Sequence, residues 1–321
     1  MSQNYIRSCH VTFAYIGKTY TCDMNAIRVR FGIKKESMPQ PNIATIRLTN
    51  QNRDLAKRLT EPQAEGSDVI ISAGYRDNEG VIFQGELRFA MFGRENPTDT
   101  MTTIIAADGG QAKTYATVSK TLPPGSTPKD IVSTAIDSLS KFGVTLGFVG
   151  PKVDLSTPVY PRSIALMGMA YKLLEDVAKS KGATVSTQDT EVHIVTPDDA
   201  LPGEAFILNS GTGLIGMPTL MTGGVYARAL INPRLKVNGL VHIDQSLIQG
   251  LIPELGPGGI VPLTQRPGSI IYPNLAADGI YKIYKIDVDA DTRGNPWYQD
   301  IMCLVPGQES SASVYSRGQA Q

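Results

Sequence analysis

The hydrophobic pattern changes its period twice along the chain, and this constrains the fold more than any other feature. Between residues 8 and 120, apolar side chains alternate with polar ones. Val11, Phe13 and Tyr15 do so, then Ile27, Val29, Phe31 and Ile33, which is the period of a strand buried on one face. Further strands are predicted over Ile43–Thr49, Asp68–Tyr75, Val81–Phe92 and Thr100–Ala107. The polar run Arg76-Asp77-Asn78-Glu79-Gly80 suits a hairpin. Short strands at this spacing indicate a barrel or sandwich.

The period lengthens after Leu122-Pro123-Pro124-Gly125. Thr127 is placed to cap a helix, with Pro128 at its first position and Asp130 three residues after the cap. Ile131, Val132, Ala135, Ile136, Leu139 and Phe142 then follow helical spacing up to Gly143. A second helix is predicted from Ser163 to Lys181, with Met167 and Met169 read as core filler. Thr184–Ser186 and Glu191–Val195 read as a small hairpin beside it.

Strand signals return at Ala205–Leu208, Val225–Ile231, Leu240–Ile243, Tyr281–Val288 and Trp297–Leu304. Gly250–Pro273 is dense in Gly and Pro and reads as a long loop. The tail Pro306–Gln321 is polar and is expected to order only against a partner. The fold class is therefore mainly β with an α/β insert. The expected divisions are a β unit at 1–121, an α/β region with two helices at 122–200, a second β unit at 201–305 and a tail at 306–321.

Composition narrows the function. The 321 residues carry 30 basic and 30 acidic side chains, so the excess of positive charge usual for nucleic-acid binding is missing. Three cysteines, Cys9, Cys22 and Cys303, form no CxxC pair. A hairpin turning at Gly17-Lys18 would set Phe13 opposite Cys22 and leave Cys9 and Cys22 out of register, so buried thiols in a reducing compartment are expected. The N-terminus lacks the apolar core of a signal peptide, and no segment reaches the ~20 apolar residues of a membrane span. The chain is expected to act without export as a free protein and without a membrane.

Several motifs tempt a catalytic or cofactor reading and fail on their mechanics. Gly211, Gly213 and Gly216 match GxGxxG, but Met217-Pro218 and Gly223-Gly224 follow where the phosphate-binding helix would have to start. A glycine-permitted loop is the expected structure there. Gly17-Lys18-Thr19 resembles the end of a phosphate loop, with Thr12 where its first glycine belongs. Asp287, Asp289 and Asp291 alternate as in a calcium loop, yet Thr292 replaces the loop glycine and Tyr298 the bidentate Glu. On a strand all three would share one solvated face. His10, His193 and His242 lie in separate predicted strands with no accompanying HExxH or GxSxG. No catalytic, cofactor-binding or metal-binding residue is assigned, and the chain is expected not to be an enzyme.

Seven blocks carry a resemblance. They are Asp68–Tyr75, Val81–Leu87, Asp99-Thr100 opening the run to Gly109, Pro124–Pro128, Gly211–Pro218, Leu230–Pro233 and Asp291–Tyr298. In this order, from about Ile27 to Leu304, they resemble the baseplate hub family of contractile-tailed bacteriophages, related in fold to the hub portion of type VI secretion spike proteins. The resemblance implies two tail-tube-like β-barrel domains flanking small α+β domains. Three chains would form a homotrimer with six barrels, matching a sixfold tail tube to a threefold spike. The implied partners are the tail tube or tube-initiator protein above, the central spike below and baseplate wedge proteins around. DNA would pass through a neutral or acidic lumen without specific binding. The implied location is the virion's tail baseplate, assembled in the host cytoplasm.

No appended lysozyme, peptidase or peptidoglycan-binding module accompanies these blocks, so no lytic role is expected. Gly85–Asp108 and Tyr281–Leu304 echo each other as a long strand, an Asp-Thr turn (Asp99-Thr100, Asp291-Thr292) and a returning strand. Trp297 and Tyr298 stand beside such a turn, either as contact anchors or as packing at a barrel end. A virion adhesion module and a peptidoglycan hydrolase are the alternative readings.

Overall fold

A computed structural model describes residues 6–15, 18–221, 224–248, 275–276 and 278–307. Alternation produces the first group of strands: β1 (Arg7–Tyr15), β2 (Lys18–Asp23), β3 (Arg28–Glu36), β4 (Ile43–Thr49), β5 (Asp68–Tyr75), β6 (Asn78–Arg94) and β7 (Thr100–Ala107). On β3 the residues Val29, Phe31 and Ile33 are buried, and on β4 Ala44, Ile46 and Leu48, so one face of each strand lies on the core. A helix that the strand period does not reveal, α1 (Arg53–Leu59), separates β4 from β5; Asn52 caps it by accepting from Asp54 N–H.

The middle of the chain is a separate packing unit. It comprises α2 (Gly110–Tyr115), β8 (Thr117–Leu122), α3 (Pro128–Leu139), β9 (Thr145–Val149), β10 (Ile164–Met169), α4 (Ala170–Ser180), β11 (Thr184–Gln188) and β12 (Glu191–Val195). The cap read in the sequence is present: the Thr127 backbone N–H and hydroxyl both donate to the Asp130 carboxylate, at 2.7 and 3.0 Å. The predicted second helix is shorter than expected. Ile164–Met169 is a strand paired with β8, because Gly168 has φ 131°, which no helix permits. Met167 is consequently 81% exposed and not core filler. The hairpin β11–β12 turns at Asp189 and Thr190, both left-handed, and β9 joins β12 in parallel. The apolar faces of α3 and α4 close over these sheets in their own core, which includes Val132, Leu139, Leu174 and Ile194.

The third part contains β13 (Phe206–Leu208), β14 (Leu214–Met221), β15 (Gly224–Leu230), β16 (Leu240–Ile243), β17 (Ile280–Asp291) and β18 (Trp297–Leu304). Its strands and those of the first group join in one 13-stranded sheet, ordered β14-β15-β18-β17-β3-β4-β7-β6-β5-β1-β2, with β13 and β16 off this path. A single hydrophobic core runs from Val11 and Phe13 to Ile301 and Cys303.

The sheet contains the same five-strand order twice. In the first copy the hairpin β3–β4 is followed by β5, β6 and β7, arranged β3-β4-β7-β6-β5; in the second, β14–β15 is followed by β16, β17 and β18, arranged β14-β15-β18-β17-β16. Every pairing within both sets is antiparallel. The echo therefore lies in strand order. The two Asp-Thr pairs are not equivalent, since Asp291 ends β17 whereas Thr100 begins β7.

Two local readings need correction. β1 and β2 pair with Phe13 opposite Tyr20 and Val11 opposite Cys22, two residues away from the expected register. A two-residue shift keeps the same side chains inward, so alternation alone cannot choose between the registers. Leu214–Met221 is a strand and not a loop. Pro218 falls in the register break between Ile215 and Thr219 in the pairing with β15, an irregularity that tolerates a residue without an N–H. The predicted loop Gly250–Pro273 and all but the first two residues of the predicted tail lie outside the described residues.

Candidate assembly interface

The two five-strand repeats meet where β3 lies antiparallel to the C-terminal half of β17, from Lys285 opposite Glu36 to Asp291 opposite Arg30. Charged side chains brace both ends. Arg28 grips Asp291 with two hydrogen bonds of 3.1 and 2.5 Å, which holds the Asp291 carboxyl below the usual range. Lys285 Nζ lies 2.7 Å from Glu36 Oε1. Val29 N–H donates to Thr292 Oγ1 and Thr292 N–H to Val29 O, each at 3.0 Å. The Arg7 guanidinium stacks on Trp297 at 5.3 Å and donates to the Gly294 carbonyl at 2.6 Å.

β3 also holds the insert. Its inward positions run Val29, Phe31, Ile33 and then Lys35, because the face that meets the core earlier meets the β11–β12 turn at its end. Lys35 Nζ lies 2.7 Å from both carboxylate oxygens of Asp189. Asp108, fully buried, accepts from Asp189 N–H at 2.7 Å and Thr190 N–H at 2.8 Å. Asn42 donates to Thr187 O and Gln188 Oε1. Burial pushes the Asp108 carboxyl up to about 6, and the backbone donors only partly oppose that. At the far side Lys282 Nζ donates to Thr196 O at 3.0 Å, and burial brings its ammonium down to about 8.

These groups form a clamp of one ion pair, Lys35–Asp189, surrounded by buried hydrogen bonds. Sequence reasoning missed it, since Lys35, Asn42, Asp108 and Asp189 are scattered along the chain. Lys35 at an inward strand position is the one local clue.

The residues that attracted notice in the sequence are not gathered. His10, His193 and His242 lie on β1, β12 and β16. His193 is buried, its imidazole pKa lowered by desolvation, with Glu191 at 3.7 Å. The expectation that Asp287, Asp289 and Asp291 share a solvated face fails at Asp291, which is 7% exposed because Arg28 covers it. Burial raises the Asp287 carboxyl. Gly211 and Thr212 cap a turn by donating to Asn209 Oδ1, and no helix starts there.

Trp297 is 2% exposed, edge-on to Phe31 at 6.0 Å, so it packs the sheet end and is no contact anchor. Tyr298 lies under the Arg228 guanidinium at 4.2 Å. Cys9, Cys22 and Cys303 are buried free thiols; desolvation pushes Cys9 to about 12 and Cys22 to about 11, far from a reactive thiolate. Among the described residues no three His, Cys, Asp or Glu side chains gather as a metal site.

What the surface offers is sheet edge and apolar area. Phe89, Met91 and Phe92 on β6 are 55, 53 and 41% exposed, and Ile105 beside Phe89 is 36% exposed. A shallow groove of about 590 Å³ runs beside β13, lined by Phe206, Ile207, Glu204, Arg234 and Lys236. No helix among the described residues is long and apolar enough to cross a membrane. This arrangement can pair, stack and dock.

No curated protein matches the chain in sequence. In structure it is similar to the 43 kDa tail protein of prophage MuSo2 from Shewanella oneidensis, with 12% identity, TM-score 0.56, and coverage of 92% of this chain and 97% of that one. It is likewise similar to the tail protein from Neisseria meningitidis MC58, with 10% identity, TM-score 0.56, and coverage of 94% and 98%. A Francisella PdpA–VgrG complex contains a chain of similar fold, with 8% identity and TM-score 0.56, covering 97% of this chain and 60% of that one. The family model described as baseplate hub gp41 matches residues 9–251, more than half the sequence, and the chain belongs to that family.

Proposed function

We propose that this protein is the structural hub of a contractile phage tail, a trimer whose pseudo-sixfold ring adapts the tail tube to the central spike. The five-strand order that occurs twice in one chain carries the reading. Three such chains supply six equivalent sheet units, and a threefold partner can dock on the same object as a sixfold one. In this reading each repeat is the framework of one tube-like β-barrel, within residues 1–109 and 201–305, and the α/β region lies to the side, beginning at Gly110 and not at the expected 122 because Ala112, Ala116 and Val118 pack in its core.

The partners are the tube or tube-initiator protein on one face, the spike on the other and wedge proteins around the rim. DNA passes the lumen without being gripped, in keeping with 30 basic against 30 acidic residues. The protein does no chemistry: its task is to hold geometry, through the charged clamp and the β3–β17 junction. Assembly takes place in the host cytoplasm, and the chain ends in the virion baseplate.

Electron-microscopic class averages of the protein purified with its spike test this. The expected image is a threefold ring with six lobes of similar size. A ring with another count, or release of muropeptides from peptidoglycan by the purified chain, would overturn the reading.

A further inference from the structure

The groove beside β13 combines an apolar lining with charge that nothing nearby balances. Leu201, Phe206 and Leu240 are half-buried in it, and Ile207 is 58% exposed. The Ile207 carbonyl already accepts from Thr212 Oγ1 at 2.7 Å, so the groove offers a ligand side chains and not a strand edge.

The loop 231–239 between β15 and β16 contributes Arg234 and Lys236 to the lining. Its residues alternate: Leu235 and Val237 are buried, whereas Arg234 and Lys236 are exposed. Two buried asparagines fix this shape. Asn232 Oδ1 accepts from Arg234 N–H at 3.0 Å, and the Asn232 carbonyl accepts from Leu235 N–H at 3.1 Å and Gln299 Nε2 at 3.3 Å. Asn238, left-handed at φ 67°, donates its N–H to Ile283 O and accepts from Ser37 Oγ on its side chain, each at 2.7 Å. Its carbonyl accepts from Leu201 N–H at 2.8 Å and ties the loop to the other side of the groove. The two cations thus stand on a fixed frame.

Elsewhere in the sheet such groups meet carboxylates, as in Arg28–Asp291, Arg228–Asp300 and Lys285–Glu36. Among the described residues neither Arg234 nor Lys236 has a carboxylate within ion-pair distance, although Glu204 belongs to the same lining. We infer that this groove binds an extended segment of another protein in which an apolar side chain is flanked by carboxylates. The apolar side chain packs on Phe206, Ile207 and Leu240. The carboxylates meet Arg234 and Lys236 in charge-assisted contacts that set the register. A volume of about 590 Å³ suits a few side chains of such a segment. A nucleic-acid strand fits worse, because its phosphates meet Glu204 and its backbone gives Ile207 and Leu240 no apolar partner. The inference concerns the second repeat alone and goes beyond the hub reading, which stands or falls separately.

Fluorescence anisotropy on the full-length protein tests the groove with four labelled probes: the peptide acetyl-GDLFDG-amide, its amide analogue acetyl-GNLFNG-amide, its basic analogue acetyl-GKLFKG-amide, and an oligothymidine. The acidic peptide is expected to bind, and the amide analogue to bind about tenfold more weakly, the effect of losing two exposed ion pairs. R234E/K236E is expected to lose at least about tenfold in affinity for the acidic peptide and to gain affinity for the basic one, with an unchanged near-ultraviolet spectrum. Ile207→Asp is expected to weaken the acidic peptide and its amide analogue alike. No binding of the acidic peptide at millimolar concentration would overturn the inference. Equal binding of the acidic and amide peptides, or indifference to R234E/K236E, would do the same. Tighter binding of the oligothymidine than of the acidic peptide, abolished by R234E/K236E, would reassign the groove to nucleic acid.

Discussion

Asp108 is buried where a carboxylate ordinarily is not, and its setting makes the clamp pH-dependent. Its carboxyl titrates at about 6 in the folded protein against 3.8 ordinarily. Above pH 6 the native state holds a charge at a desolvation cost. Between 6 and about 4 it binds a proton that the unfolded chain does not, so this group's contribution to stability rises as pH falls. The unfolding free energy of the wild type minus that of Asp108→Asn should therefore rise by on the order of 1–3 kcal/mol from pH 7 to pH 4, read by urea titration at each pH. A flat difference would mean that Asp108 titrates normally. At the repeat junction, Asp291→Ala removes the acceptor of Arg28 and should cost about 1.5–3 kcal/mol in the same measurement at pH 7. Neither role was legible. Asp291 shares its spacing with Asp287 and Asp289, and only the approach of Arg28, 263 residues away, distinguishes it from a surface acid.

At the scale of elements, the sequence was most readable where one side chain set decides one local structure. Ile43–Thr49, Asp68–Tyr75, Thr100–Ala107, Leu240–Ile243 and Trp297–Leu304 are strands with the bounds their alternation indicates. The Thr127/Asp130 cap begins α3 as read, and Asp130→Ala should cost about 1 kcal/mol by thermal or urea unfolding. Reading failed where a glycine reverses the local preference. Gly168 turns the start of an apparent helix into β10, and Gly216, at φ 72°, sits inside an edge strand with an irregular register. The clamp is an element-scale property as well. Lys35→Met keeps the packing stem and removes the charge facing Asp189. Amide exchange in Thr184–Val195 should then accelerate about tenfold while β4 and β7 keep their protection; equal loss in all three would show a general destabilisation instead.

For the whole molecule, the division into β, α/β and β follows from the two changes of period, but the joining of the outer parts into one sheet does not. The β3–β17 pairing links residues some 250 positions apart, and no local pattern encodes which edge a strand will choose. The same holds for the duplicated order, which is visible only once the pairings are known; the sequence echo pointed to the right hairpins through the wrong dipeptides. The central claim is that a chain with two five-strand repeats closes into a ring of three. The mass in solution, of the protein alone and coexpressed with its spike, tests it most directly. Three chains of 34.6 kDa, about 104 kDa before the spike is counted, are expected in at least one of the two samples. A 34.6 kDa monomer in both, indifferent to the spike, would contradict it.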